Sequence, residues 1–308
     1  MHKFILRRIL MMLPVLLGAM FIIFTLVYIT PGDPARILLG ERAPPEAVQA
    51  LRQEMGLDRP FLVQFIGYVS RVIRFDLGTS FSTQRPVFDE LSFRLPSTAL
   101  LTGLSLLVAV LIGIPMGIAC AIRHNSVLDS VATVLGLIAL SVPNFWLGLM
   151  LILLFSLNLG WLPVSGFTTP LHWILPSFTI GLSLAGEFMR FTRSSMLEVV
   201  RQDYIRTAWA KGQKESAIIV KHALKNALIP LITVVGLSFG GLMGGAVLTE
   251  TIFAIPGVGG FMVQSIASRD FPIIQGGVLM IAVIFSFVNL LVDILYGFVD
   301  PRIRSQYK

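Results

Sequence analysis

Long apolar runs recur along this 308-residue chain, and polar residues collect in the intervals between them. A bilayer core takes roughly 20 apolar residues to cross as a helix. Six stretches reach that length: about Ile9–Tyr28, Thr98–Ile122, Val131–Leu157, Ile174–Phe191, Ala227–Leu248 and Ile273–Phe298. The pattern predicts an all-α integral membrane protein with six transmembrane helices. Lys3, Arg7 and Arg8 precede the first run as they would in a signal peptide. The run is too long for one, and no small-x-small cleavage site follows, so it reads as a retained anchor. Pro31, Gly32 and Pro34 end it, because proline cannot continue a helix and glycine disfavours one.

The intervals set the orientation. Alternating spans place Met1–Arg8, Arg123–Ser130, Arg193–Asn226 and Asp300–Lys308 on one side, with Arg190 at a span end. That set holds 15 Lys plus Arg against 9 on the other side, and 8 of those 9 lie in one long segment, Pro31–Pro96. Long segments cross largely regardless of charge, and basic short loops stay inside. Both termini are therefore expected in the cytoplasm. The chain divides into an N-terminal span (1–30), a long outer segment (31–97) and a five-span core (98–308) that contains a cytoplasmic loop at 193–226. In the outer segment, eight acids balance eight arginines. Leu62, Phe65, Ile66, Val69 and Ile73 recur at helical spacing. A folded, water-facing piece is expected there.

Composition agrees: 55% hydrophobic, 13% charged and a mean hydropathy of +0.81, where soluble domains carry about 25% charged residues. The net charge of +7 then reflects inner-face lysine and arginine, not nucleic-acid binding. The single Cys120 excludes an internal disulfide. Catalytic patterns are missing. No G-x-x-x-x-G-K-[ST] string exists to cradle a nucleotide, and "PGVGGF" (Pro256–Phe261) lacks the strand that a phosphate loop follows. His2, His124, His172 and His222 are scattered over both sides, which disfavours a metal site. Ser165-Gly166 near His172 faintly suggests an intramembrane serine hydrolase, but Pro163 stands where the preceding glycine belongs.

Charge concentrates instead in "YIRTAWAKGQKESAIIVKHALKNALIP" (Tyr204–Pro230), with Arg206, Lys211, Lys214, Lys221, Lys225 and one acid, Glu215. Asp203 gives a short helix an acidic start that suits its dipole. Ala208 and Ala210 are small, Gly212 ends the helix, and a second amphipathic helix over about Lys214–Leu224 leads into the fifth span. Such a helix could dock into another protein's groove, or simply be a solvated loop held inside by its charge. Other positions leave alternatives open. Asn144 after Pro143 in the third span could line a pathway or lock helices together. Gly236, Gly240, Gly241, Gly244 and Gly245 could face a partner or pack within the chain. Asp293, in the last span, could be a relay, an ion site or half of a structural pair. Glu250 could touch substrate or a binding protein, or have no function.

The Tyr204–Pro230 stretch resembles the EAA coupling loop of permease subunits from binding-protein-dependent ABC importers. Gly212 fills that family's glycine slot, Ala208 its last alanine and Leu224 its leucine. Arg206 and Thr207 replace the Glu and first Ala, and His222 and Lys225 replace the Ile and Pro. The stretch is closer to the dipeptide/oligopeptide/nickel branch, whose version looks like "DYIRTAxAKGxxExxxxxKHALxNAxIP". "TPGDPAR", "RFDLGTSFSTQRPV", "TETIFAIPGVGGFMVQSIASRDFPIIQG" and "NLLVDILYGFVDPRIR" match in order, so the resemblance covers the whole chain. With its long outer segment it looks like the B-type subunit, similar to the dipeptide permease B family. The resemblance implies a bacterial inner-membrane permease, half of a pathway completed by a second homologous permease. It also implies two cytoplasmic ATPase subunits, which bind ATP and magnesium, and an extracytoplasmic substrate-binding protein. No cofactor is implied in this chain, and no enzymatic activity. The cargo implied is a di- or oligopeptide, with nickel, glutathione or another small solute as variants. Carried over by position, Tyr204, Arg206, Thr207, Ala208, Ala210, Lys211 and Gly212 would contact the ATPase. Without the resemblance, a self-contained secondary transporter or channel stays open; it would call for more buried charge than Asp293 alone.

Overall fold

In the computed structural model, residues 2–40 and 42–299 are described, and every regular element among them is helical, with one isolated β-bridge between Thr79 and Pro86. Met1 and the basic segment 300–308 lie outside the described residues. Helix α1 spans His2–Ile29. The short helices α2 (Pro34–Leu39), α3 (Pro45–Glu54) and α4 (Phe61–Ile73) then build the outer segment. The core follows as α5 (Val87–Ile122), α6 (Val127–Ser141), α7 (Asn144–Leu151, continued by π-type turns through Asn158) and α8 (Pro170–Val200). After it come α9 (Asp203–Ala210), α10 (Glu215–Ala217, continued by π-type turns to Leu224), α11 (Lys225–Gly245), α12 (Val247–Ile252), α13 (Val258–Ala267) and α14 (Phe271–Val299).

Three straight segments are long and apolar enough to cross a membrane: Ile5–Ile29, Val87–Ile122 and Phe271–Leu295. Two bent pairs raise the number to five, Val127–Ser141 with Asn144–Asn158 at 100° and Glu215–Leu228 with Pro230–Gly244 at 47°. The expected third span, Val131–Leu157, is therefore not one straight helix. Pro143 has no N–H to donate, and a residue before proline is driven out of the helical region. Val142 accordingly sits at φ −75°, ψ 124° and Pro143 at φ −62°, ψ 132°. The expected fourth span, Ile174–Phe191, lies inside the 31-residue α8. Its neighbours α5, α6 and α11 cover it. A helix facing protein can carry Glu187 and Arg193, both half-buried, while Arg190 is exposed.

Helices α5 and α8 form the most extensive pair, and glycines set how closely they approach. A Cβ on Gly113 would lie 2.6 Å from the Ala185 carbonyl oxygen, and one on Gly117 2.6 Å from that of Met189. Without the hydrophobic drive of water, such close backbone contact supplies the packing between membrane helices. Leu106, Ala109, Ala185, Phe188 and Leu231 close the centre of this layer. Beside apolar packing, a buried carboxylate ties the outer segment to the core. Asp270, before α14, accepts hydrogen bonds from the Ser80 hydroxyl (2.5 Å) and from the backbone amides of Phe81 and Ser82 (3.0 Å each).

Candidate functional site

Helix α9 begins where Gln202 turns to extended backbone (φ −72°, ψ 148°), and Asp203 lies in its first turn. It ends in a Schellman turn. Gly212 takes φ +72°, its amide donates to the Trp209 carbonyl (2.9 Å), and the Gln213 amide donates to that of Ala208 (3.4 Å). Left-handed backbone costs a Cβ-bearing residue about 1–2 kcal/mol, so glycine at 212 fixes where the helix stops. The second helix starts at Glu215 and runs on into α11 without a loop.

With these ends fixed, eight residues leave α9 two faces. Ile205 and Ala208 point inward, to a cluster with Ala121 of α5, Met196 of α8, Ile218, Ala223 and Ala227. Tyr204, Arg206, Thr207, Trp209, Ala210, Lys211 and Gly212 are exposed. Ala208, expected on the docking face, is 7% exposed and packs in its own chain. Side chains three apart on a short helix share a face, and Ile205 already commits that face to the core. Trp209, which the sequence reading passed over, stands 49% exposed in the middle of the outward face. A large aromatic at the position next to a buried alanine was the available signal. The Tyr204 hydroxyl accepts from the Asn226 amide (3.0 Å), and His222 Nε2 lies 2.9 Å from Gln213 Oε1. The first braces α9 against the start of α11, and the second ties the turn after α9 to the segment leading into α11. Arg206 lies 3.8 Å from Asp203, and both are exposed, so this pair contributes little. The result is a rigid face of two aromatic rings between basic side chains, suited to an apolar groove with an acidic rim.

A second group on the same end of the bundle escaped sequence reading, because its members are 64 residues apart. Asp129 is buried at the start of α6. Arg193 of α8 grips it twice, Nε to Oδ1 at 2.6 Å and Nη2 to Oδ2 at 2.8 Å. The Asn125 amide also donates to Oδ2 (3.0 Å), and His124 Nδ1 lies 3.2 Å from it. A bidentate guanidinium–carboxylate pair fixes orientation as well as distance. It ties the α5–α6 turn to α8, ten residues before α9 begins.

At the other end, Glu250 is 1% exposed. Its Oε1 accepts from the Thr98 hydroxyl (2.6 Å) and its Oε2 from the Gly260 amide (2.8 Å), while Thr98 Oγ1 accepts from the Val258 amide (2.9 Å). A Cβ on Gly257 would fall 2.2 Å from this carboxyl. The glycines of "PGVGGF" thus make room for a buried acid, and the expected contact of Glu250 with substrate or a binding protein does not hold in this conformation. Asn144 Oδ1 is buried beside the 100° break and has no hydrogen-bond partner among the described residues. Gly240 faces Phe285, Gly244 faces Ile281 and Gly236 faces Val292, all of α14; these glycines pack within the chain. Asp293 pairs with Arg8 of α1 at 3.0 Å. His172 Nδ1 lies 2.7 Å from Thr169 Oγ1.

Comparison with known proteins covers nearly the whole chain. Residues 113–305 match the family model described as binding-protein-dependent transport system inner membrane component, and residues 1–102 match that of its N-terminal region. The glutathione transport system permease protein GsiC of Pectobacterium atrosepticum is 43% identical over 304 residues, 99% of each chain. The dipeptide transport system permease protein DppB of Alkalihalophilus pseudofirmus is 41% identical over 332 aligned positions, covering 99% of this chain and 100% of that one. Among solved structures, a chain of the methionine ABC transporter MetNI in an inward-facing form superposes with a TM-score of 0.59 at 18% identity. The match covers 68% of this chain and 96% of that one, which establishes a shared fold.

Proposed function

Because this chain belongs to the inner membrane component family of binding-protein-dependent transport systems, we propose that it couples ATP hydrolysis in a partner to peptide movement through its own spans. It is a multi-pass protein of the bacterial inner membrane, a permease and not an enzyme, and it works with separate ATPase subunits. Membership sets aside the self-contained secondary transporter. In our reading, six spans cross the bilayer with both termini inside, α8 being the fourth along the chain. A second homologous permease completes the pathway, two ATPases bind ATP and magnesium, and an external binding protein delivers the cargo. The relatives' names, dipeptide and glutathione permeases, support small peptides as that cargo, glutathione itself being a tripeptide.

The observation that carries the coupling role is the outward face of α9. Tyr204, Arg206, Thr207, Trp209, Ala210 and Lys211 stand exposed on a helix whose ends and inner face are fixed. Closure of the ATPase dimer would push this rigid face, and the Ile205–Ala208 contacts would pass the displacement to α5, α8 and α11. Gly212 offers the test, since no atom lies within 4 Å of a Cβ placed there. Gly212→Ala carries only the left-handed strain. Gly212→Trp adds bulk beyond a Cβ that stands in open space. Gly212→Trp is expected to abolish ATP-driven uptake in proteoliposomes while Gly212→Ala retains most of it. Equal uptake by both variants would remove the docking role. Mass spectrometry of the ligand released from the co-purified binding protein tests the cargo.

A further inference from the structure

Helix α4 has three faces. Phe61, Phe65, Tyr68 and Val72 point to α1 and α14. Leu62, Ile66 and Ile73 follow one position later, about 100° around the helix, with the half-buried Val69 between them at the edge of the inner cluster. Gln64, Gly67, Arg71 and Arg74 complete the circle as a polar stripe. On the second face Ile66 is 65% and Ile73 71% exposed, and Phe75, just past the helix, is 84% exposed. A water-facing helix, as the sequence suggested, does not hold a row of bare aliphatic side chains. A helix lying in a membrane interface does, with its polar stripe toward headgroups and its apolar face toward acyl chains.

Its neighbours place it there. Ring contacts with centroids 5.0–6.0 Å apart fasten Phe61, Phe65 and Tyr68 to Phe21, Phe24 and Tyr28 in the second half of α1, a segment apolar enough to cross the bilayer. Between the two helices runs an open groove of about 440 Å³ lined by Leu17 of α1 with Phe65, Ile66, Val69, Ile73 and Arg74 of α4. Its floor is thus continuous with the surface that α1 presents to lipid. Its rim carries positive charge from Arg74, with Arg71 one turn back. The neighbouring acid, Asp76, is turned into its own loop and accepts from the Gly78 amide (2.9 Å). We propose that α4 lies against the outer half of α1 in the membrane and that the α1–α4 groove binds an outer-leaflet anionic phospholipid, its acyl chain along Leu17 and Ile66 and its phosphate drawn by Arg74 and Arg71.

The proposal rests on α1 crossing the bilayer and is independent of the coupling role of α9. Its test uses the assembled transporter in liposomes, in a Cys120→Ala background. Bimane attached at Ile66→Cys is expected to be quenched by nitroxide-labelled lipid and shielded from aqueous iodide, whereas bimane at Gln53→Cys on exposed α3 shows the reverse. Iodide access at the Ile66→Cys site, or shielding that arises only when the binding protein is added, would overturn the proposal. In parallel, the transporter is purified from bilayers of equal phosphatidylglycerol and phosphatidylcholine, and its retained lipid is measured by mass spectrometry. Enrichment of phosphatidylglycerol should fall roughly fivefold for each of Arg71→Gln and Arg74→Gln, the effect of about one interfacial charge. Unchanged enrichment in the double variant would overturn the headgroup assignment.

Discussion

Ala208→Leu separates two explanations of why a small residue sits in α9. If the side chain met an ATPase, added volume would block docking and leave the permease intact. Here Ala208 is buried beside Met196, Ile205 and Ile218. Leucine adds three carbon atoms to a closed cluster, and overpacking of this kind costs about 1–3 kcal/mol. Met196→Ala in the same cluster costs about 2–5 kcal/mol alone by opening a cavity. Combined, the cavity receives the leucine, and the double variant should be more stable than the sum of the two losses by about 0.5–3 kcal/mol. Cys120, the single cysteine and fully buried, reports unfolding directly through a maleimide dye that fluoresces on reaction. ATP-driven uptake is followed in the same samples. Stability lost in Ala208→Leu and partly regained with Met196→Ala, uptake moving with it, is the expected pattern. An unchanged unfolding midpoint with lost uptake would refute the inward placement, and strictly additive losses would refute the shared cavity.

Three further outcomes follow from the contacts. Gly186→Ala should unfold well below the parent, because its Cβ would lie 2.6 Å from the Gly136 carbonyl oxygen, whereas Gly241→Ala, with nothing within 4 Å, should match or exceed it in the same dye assay. Thr98→Val keeps the shape but strips a hydroxyl from both Glu250 and the Val258 amide. It should cost about 1–3 kcal/mol for each polar group left unpaired, and Thr98→Ser should restore most of it. Asp129→Ala leaves Arg193 without its bidentate partner. Arg193 is 27% exposed, so the loss should fall below the about 3–5 kcal/mol of a fully buried pair, with faster dye reaction at nearby Cys120.

The chain's apolar runs were legible because a bilayer imposes a length and a composition on whatever crosses it. The break in the third span was half legible. Pro143 announced a disturbance, but only the extended Val142 and Pro143 turned a kink into a 100° corner. In the loop after α8, Asp203 and Gly212 marked both ends of α9 in advance. The side that each residue faces was not marked, since Ala208 and Ala210 look alike until Ile205 commits one face to the core.

By itself, the sequence determined what depends on solvent and on neighbours close in the chain: which segments are apolar, where helices start and stop, and where positive charge collects. The tertiary structure decided what depends on partners far apart. Glu250 became a buried acceptor and not a surface contact, Asp293 found Arg8, Asp129 found Arg193, and one face of α4 was left bare beside a membrane span. Hydropathy records how much a residue favours oil over water, and that preference is the same whether the oil is lipid or another helix. Only the packed helices distinguish the two.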